Sequence, residues 1–253
     1  ICHSVFHSTV GSLTEAVTAA GELVEEARSS ADPASLSRAL RFRSLVHGRN
    51  SDIEAARLDL EEALDLVRQA DAQAVVSIVA SRLLELAIDL ADIEDAQRWF
   101  ELMERTISVS ATDTMSIRAH GVLRCRYELS RTDDPLPSNL RDSISLLPQQ
   151  PRRERMQILA IQLQDALRRC DTRAVSRLTR ALQQLWGECD PDCGVDYAAS
   201  VMVRGLNSVR GPEVARSFLT EFISRRREPG PINKGLQDIL PESLRLEYEV
   251  NRR

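Results

Sequence analysis

An internal period of about 40 residues restricts this chain to architectures that stack one helical unit after another. The stretch Asp52-Ile53-Glu54-Ala55-Ala56, followed by Leu60 and Ala63, recurs as Asp92-Ile93-Glu94-Asp95-Ala96, followed by Phe100 and Met103. One step back falls on Ala16, Ala20 and Leu23. Steps forward fall near Ala174, Leu178 and Ala181, then on Ala215, Leu219 and Phe222. In each slot a small residue precedes residues four and seven positions on, which puts all three on one face of a helix. The small residue lets a neighbouring helix come close. The slot near position 136 holds Asp133-Asp134-Pro135-Leu136-Pro137, while Leu140 and Leu147 continue an apolar stripe, so a degenerate or kinked repeat is expected there.

Upstream of these slots lie further helical stretches: Leu36 to Val46, Ala74 to Leu90, Met115 to Leu129, Met156 to Leu167 and Tyr197 to Val209. The unit is therefore a helical hairpin. Breakers separate the helices at Asp32-Pro33, Gly48-Arg49-Asn50, Thr132 to Pro137, Gln149 to Pro151, Gly187 to Pro191, Gly211-Pro212 and Glu228 to Pro231. Pro212 suits the first position of a helix, where a missing N–H costs nothing. Ser51-Asp52 is placed to cap the helix that follows. Residues 1–11 form an N-terminal edge, 12–227 the repeat array, and 228–253, after Pro229-Gly230-Pro231, a segment expected to cap the last apolar face.

A hairpin whose second helix opens with this small-xxx-large-xx-small spacing resembles the tetratricopeptide-repeat family. Leu83-Leu84, Ala87, Ala91-Asp92-Ile93, Ala96 and Phe100 parallel the family's Leu-Gly, Tyr, Gly-Asp-Tyr, Ala and Phe pattern. Leu84 stands for the Gly, Ala87 for the Tyr and Ala91 for the second Gly. The longer hairpins resemble the helical-repeat effector domains of large bacterial regulators, such as LuxR-type ATP-dependent activators and related multidomain signalling proteins. The resemblance runs over residues 12–225. It implies an all-α, right-handed superhelix (α-solenoid) of about five to six helical hairpins whose first helices line a concave groove. In that group the repeats bind inducers, peptides or partner proteins, and catalysis or DNA binding lies in other domains.

Composition agrees with the all-α reading: there are only 10 Gly and 10 Pro, aromatic residues make up 4%, and helix formers dominate. A net charge of −5 points away from wholesale nucleic-acid binding. The longest apolar run, Ala74 to Ala80, is far shorter than the roughly 20 residues a bilayer span needs, so no membrane partner is expected. Five cysteines, an odd set without a dense framework, fit reduced thiols in a cytoplasm. Lys234 is the sole lysine, the bias of a GC-rich bacterial coding sequence. The start, Ile1-Cys2-His3, lacks Met and the order of a signal peptide, and the chain is read as a piece of a longer protein.

Candidate chemistry is sparse. Cys189-Asp190-Pro191-Asp192-Cys193 places two thiols and two carboxylates in one loop, yet a closed zinc site needs four suitable ligands, so it reads as a turn. Cys2, His3 and His7 read as a terminal segment. Asp133-Asp134 is like an acidic metal motif of helical isoprenoid enzymes but lacks a second acidic cluster. His120 is alone, and there is neither an activated nucleophile nor a Gly-rich phosphate loop. Trp99, Phe100 and Trp186 read as packing residues. No catalysis, cofactor or metal is expected.

Charge is polarised: residues 52–105 carry 14 acids against 5 arginines, and residues 151–180 carry 8 arginines against 3 acids. Arg168, Arg169, Arg173, Arg177 and Arg180 form a candidate stripe. The leading expectation is a non-catalytic protein-interaction or sensory module of a larger bacterial regulatory protein, holding a protein or peptide in the groove, with self-association as a further partner mode. Arg82, Glu85, Asp89, Arg118, Arg124 and Arg126 on first helices are the expected partner-binding residues. A small-molecule effector site between repeats is the alternative, and a metal-dependent enzyme using Asp133 and Asp134 is the third.

Overall fold

A computed structural model describes residues 13–49, 52–110, 114–145, 152–186 and 196–225. These form eleven α-helices and no strand: α1 (Leu13–Ser29), α2 (Pro33–Arg49), α3 (Ile53–Gln69), α4 (Gln73–Leu90), α5 (Ile93–Ser110), α6 (Thr114–Arg131), α7 (Ser138–Ser145), α8 (Arg152–Arg168), α9 (Thr172–Trp186), α10 (Asp196–Arg210) and α11 (Pro212–Arg225). Among the described residues no helix is long and apolar enough to cross a membrane. The chain divides into two compact units, Ile1–Ala87 with Glu94–Asp113, and Ile88–Ile93 with Thr114–Arg253. The expected edge at 1–11, the capping segment 228–253, Ser51, Leu147 and the loop of Cys189 and Cys193 lie outside the described residues.

Helix starts follow the capping chemistry of the sequence. Asp52 accepts a hydrogen bond from the Ala55 amide at 3.1 Å, and Asp32 accepts from Ala34 and Ser35 at 3.1 Å each. Asp171 accepts from Ala174 at 3.0 Å. Each carboxylate satisfies amides that have no partner inside the helix. Pro212 opens α11 directly after Gly211, whose φ of 88° suits glycine.

Helix ends are less legible. Ala31, Asp71, Ala91 and Cys170 adopt φ between 50° and 54°, the left-handed region, directly after α1, α3, α4 and α8. After α3 the Ala72 amide reaches back to the Val67 carbonyl at 3.0 Å and Asp71 to Arg68 at 3.1 Å. After α8 the Asp171 amide reaches the Ala166 carbonyl at 3.0 Å and Cys170 reaches Leu167 at 3.1 Å. Both are Schellman closures, built without glycine at a cost of roughly 1–2 kcal/mol each. Their three-residue connections send the chain straight into the next helix.

In the first unit α1 packs on α2 and α2 on α3. Ala56, Leu60 and Ala63 are all buried, as are Ala16 and Ala20. At two slots a neighbour takes the expected place: Val24 is buried where Leu23 is partly exposed, and Trp99 where Phe100 is. The Arg98 guanidinium lies 4.4 Å from the Trp99 ring centre and covers it from solvent.

In the second unit α6 packs on α7 and α8, α8 on α9 and α10, and α10 on α9 and α11. The unit is a succession of hairpins whose first helices, α6, α8 and α10, touch in series. α8 carries apolar residues on two sides: Met156, Ala160, Leu163 and Ala166 face the α9–α11 core, while Ile158 and Ile161 face Val122, Cys125, Leu129, Leu136, Leu140 and Ile144. α9 buries a single stripe, Val175, Leu178, Thr179, Leu182 and Leu185. That stripe begins one residue later than the sequence spacing suggests, leaving Ala174 and Ala181 half-buried. The slot at Pro135 and Pro137 becomes an eight-residue helix, α7, preceded by non-helical chain. Trp186 closes the core edge-to-face against Phe218 and Phe222, at 5.4 Å from each.

Helices α8, α9 and α10 meet closely at Gly205. A Cβ there would sit 2.6 Å from Thr179 Oγ1 and 3.0 Å from a methyl of Leu163. Gly205→Ala is therefore expected to lower the unfolding free energy by about 1–3 kcal/mol in urea titration. Thr179→Ala in the same chain should recover part of that loss, and a neutral Gly205→Ala would contradict the packing.

Candidate functional site

The expected partner-binding residues fall into separate places. On α4, Arg82 and Glu85 pair with each other at 2.6 Å, both partly exposed. Asp89, at the end of the same helix, accepts from Arg126 of α6 at 2.7 Å. Arg126 is buried, with its guanidinium 4.6 Å from the ring centre of Tyr197 on α10. Tyr197 in turn donates to Gln164 Oε1 on α8 at 2.7 Å. One cation on α6 thus meets the Asp89 carboxylate and a ring on α10, and an arginine suits the task because its plane stacks on a ring while its edge meets a carboxylate. Burial, the largest influence, pushes the Tyr197 hydroxyl above its ordinary range, with Arg126 opposing it, so the group stays a neutral donor. Arg124 is exposed on α6. The side chain of Arg118 lies outside the described residues.

A second polar cluster, absent from the sequence reading, surrounds Asp165 on α8. Its side chain is 2% exposed, and it accepts from the Leu136 amide at 2.8 Å and from Arg169 Nε at 2.9 Å, with Arg141 Nε at 3.2 Å. Arg168 donates to the carbonyls of Asp134, at 2.9 Å, and Leu129. Asp133, fully exposed, stands 3.9 Å from Arg168. The two-proline connection between α6 and α7 is therefore pinned to α8 by a buried carboxylate and a half-buried guanidinium. Desolvation, only partly opposed by Asp133, pulls the Arg168 pKa down.

These contacts change the meaning of two motifs. Asp133 stands beside Arg168 and Asp134 gives it a backbone carbonyl, and no cluster of three or more His, Cys, Asp or Glu able to hold a metal occurs among the described residues. The candidate stripe from Arg168 to Arg180 loses its first two members, which turn onto Asp165 and backbone carbonyls. Arg173, Arg177 and Arg180 remain on the surface of α9 and line an open hollow with Thr172 and Ser176.

Burial governs two of the remaining candidate groups. Burial pushes the Cys125 thiol up to about 12, so it is no nucleophile at neutral pH. Burial pulls His120 down, which keeps its imidazole neutral. Cys170 is exposed in its left-handed turn. Cys2, His3 and His7 lie outside the described residues.

No family model, curated protein or solved structure matches this chain.

Asp165 and Asp133 provide a direct contrast between a buried tie and a surface pair. Asp165→Ala leaves the Leu136 amide and Arg169 Nε without their acceptor, removes the carboxylate beside Arg141, and is expected to cost about 3 kcal/mol in chemical denaturation. Asp133→Ala should stay within about 0.5 kcal/mol of the parent. Equal costs would contradict the assignment.

Proposed function

We propose that this chain is a non-catalytic interaction module, a tetratricopeptide-like, right-handed superhelix of hairpins within a larger bacterial regulatory or signalling protein. It works in the cytoplasm without a cofactor and holds a protein or peptide along the first helices of its hairpins. The observation that carries this reading is the serial packing of α6, α8 and α10, each followed by a partner helix. Such a row leaves one side of every first helix to a ligand while the second helices complete the core.

The spacing of buried residues adds support. Ala16, Ala56, Ala96, Leu136, Val175 and Ala215 are all buried and recur at intervals of about 40 residues. The polar groups of the first helices divide by role: Arg126, Tyr197, Gln164 and Asp165 hold helices to one another, whereas Arg82, Glu85 and Arg124 stand partly or fully exposed. Specificity in this reading resides in such exposed charges within each unit, because they can exchange water for a partner without disturbing the core.

Peptide display against the purified chain tests the proposal. Enriched peptides should bind in a salt-sensitive way and lose about tenfold or more affinity to Arg124→Ala. Failure to enrich any sequence, or enriched peptides indifferent to that variant, would remove the reading. Thermal stabilisation by a defined metabolite in place of peptide binding would favour the small-molecule alternative.

A further inference from the structure

The second helix of the α8–α9 hairpin carries a basic face that the reading above leaves unused. Arg173, Arg177 and Arg180 stand four and three residues apart on α9, which aligns them along one side of the helix over about 10 Å. All three are exposed, and with Thr172 and Ser176 they line an open hollow on the second unit. Among the described residues none of the three forms an ion pair, whereas Arg168 and Arg169 beside them are engaged with Asp133 and with Asp165 and Asp171. The one acid at this end of the helix, Asp171, accepts the Ala174 amide. That hydrogen bond first, and then Arg169 and Arg177, hold its carboxyl below the usual range. The helix amide is therefore already capped, and the guanidiniums are what the surface offers.

The shape and lining of the hollow narrow the ligand. Guanidinium groups match the paired oxygens of carboxylates and phosphates. Among the described residues no aromatic ring lines the hollow, so they offer no platform on which a nucleobase would stack. Its openness does not enclose a small molecule, which needs most of its surface buried. Three cations in a row about 10 Å long fit the carboxylates of a polypeptide segment, for example those at successive turns of a partner helix. The chain as a whole is acidic, at −5. Fields are screened over about 10 Å at 0.1 M salt, so the stripe governs attraction at its own surface.

We propose that the Arg173, Arg177 and Arg180 face of α9 is a docking surface for an acidic segment of a partner protein. The partner's carboxylates pair with the guanidiniums, and the Thr172 and Ser176 hydroxyls donate to remaining oxygens. This surface lies on a second helix and is distinct from the first-helix residues of the proposed peptide site.

Fluorescence anisotropy with a labelled oligoglutamate and the whole purified chain tests it, with inorganic pyrophosphate and single-stranded oligothymidylate as competitors. Binding should appear at low salt, fade as salt rises, and weaken about tenfold or more in Arg173→Gln/Arg177→Gln/Arg180→Gln with unchanged helical circular dichroism. Arg38→Gln/Arg68→Gln/Arg216→Gln removes the same charge from other exposed positions and should stay within about threefold of the parent. The proposal is overturned by absent binding or by equal losses in the two variants, which would reduce capture to net charge. Displacement by pyrophosphate or oligothymidylate at lower concentration than unlabelled oligoglutamate overturns it too, as does self-association of the chain through α9 in preference to the peptide. Peptides selected for the first-helix residues should remain bound by the α9 variant, so the two readings fail independently.

Discussion

The second unit depends on the burial of α8 from two directions. A helix with one apolar stripe needs one neighbour, but Met156, Ala160 and Leu163 on one side of α8 and Ile158 and Ile161 on another need cores on both. α9 and α10 supply the first core, while α6 and α7 supply the second. Stacking hairpins is the economical solution, because each new pair covers the face its predecessor exposes. Gly205 and the buried Thr179 permit the close approach on one side, and Asp165 anchors the proline-bearing connection on the other.

The polar groups inside this arrangement are architectural. A buried Arg126 between an aspartate and an aromatic ring, and a buried Asp165 beside an amide and guanidiniums, help specify which helices meet. Neither cluster pairs a nucleophile with a base. Exposed charges lie outside these clusters, on α4, α6 and α9, and the proposed docking rests on them. Under the proposed function, selection by surface charge pattern is something a chain can alter without repacking its interior.

Much of the helical layout was legible from local signals. Asp52 capped its helix, Pro212 opened another, and the stripes of Ala56, Leu60 and Ala63 and of Ala215, Leu219 and Phe222 were buried as their spacing implied. Helix ends were legible at the breakers, as after Arg131 before Thr132 and after Arg210 before Gly211, but not where Asp71, Ala91 and Cys170 adopt left-handed conformations without a breaker. The register of α9 slipped by one residue because Val175 and Thr179 bury more volume than Ala174 and Ala181 would. Long-range ties were the least legible. Leu136 with Asp165, and Arg126 with Tyr197, join helices far apart in sequence, and no local pattern marks which charges turn inward. Of the expected site, Asp89 and Arg126 came together as a structural tie, and the part of the arginine stripe left facing solvent was Arg173, Arg177 and Arg180.

Hydrogen exchange on Leu163→Ala tests most directly the claim that the structure is a succession of mutually covering hairpins. Leu163 sits in the core shared by α8, α9 and α10. The account predicts lost amide protection through α8 to α11 and in the facing turns of α6, with α1 to α3 unchanged. A uniform loss of protection along the whole chain would show a single cooperative core and contradict it.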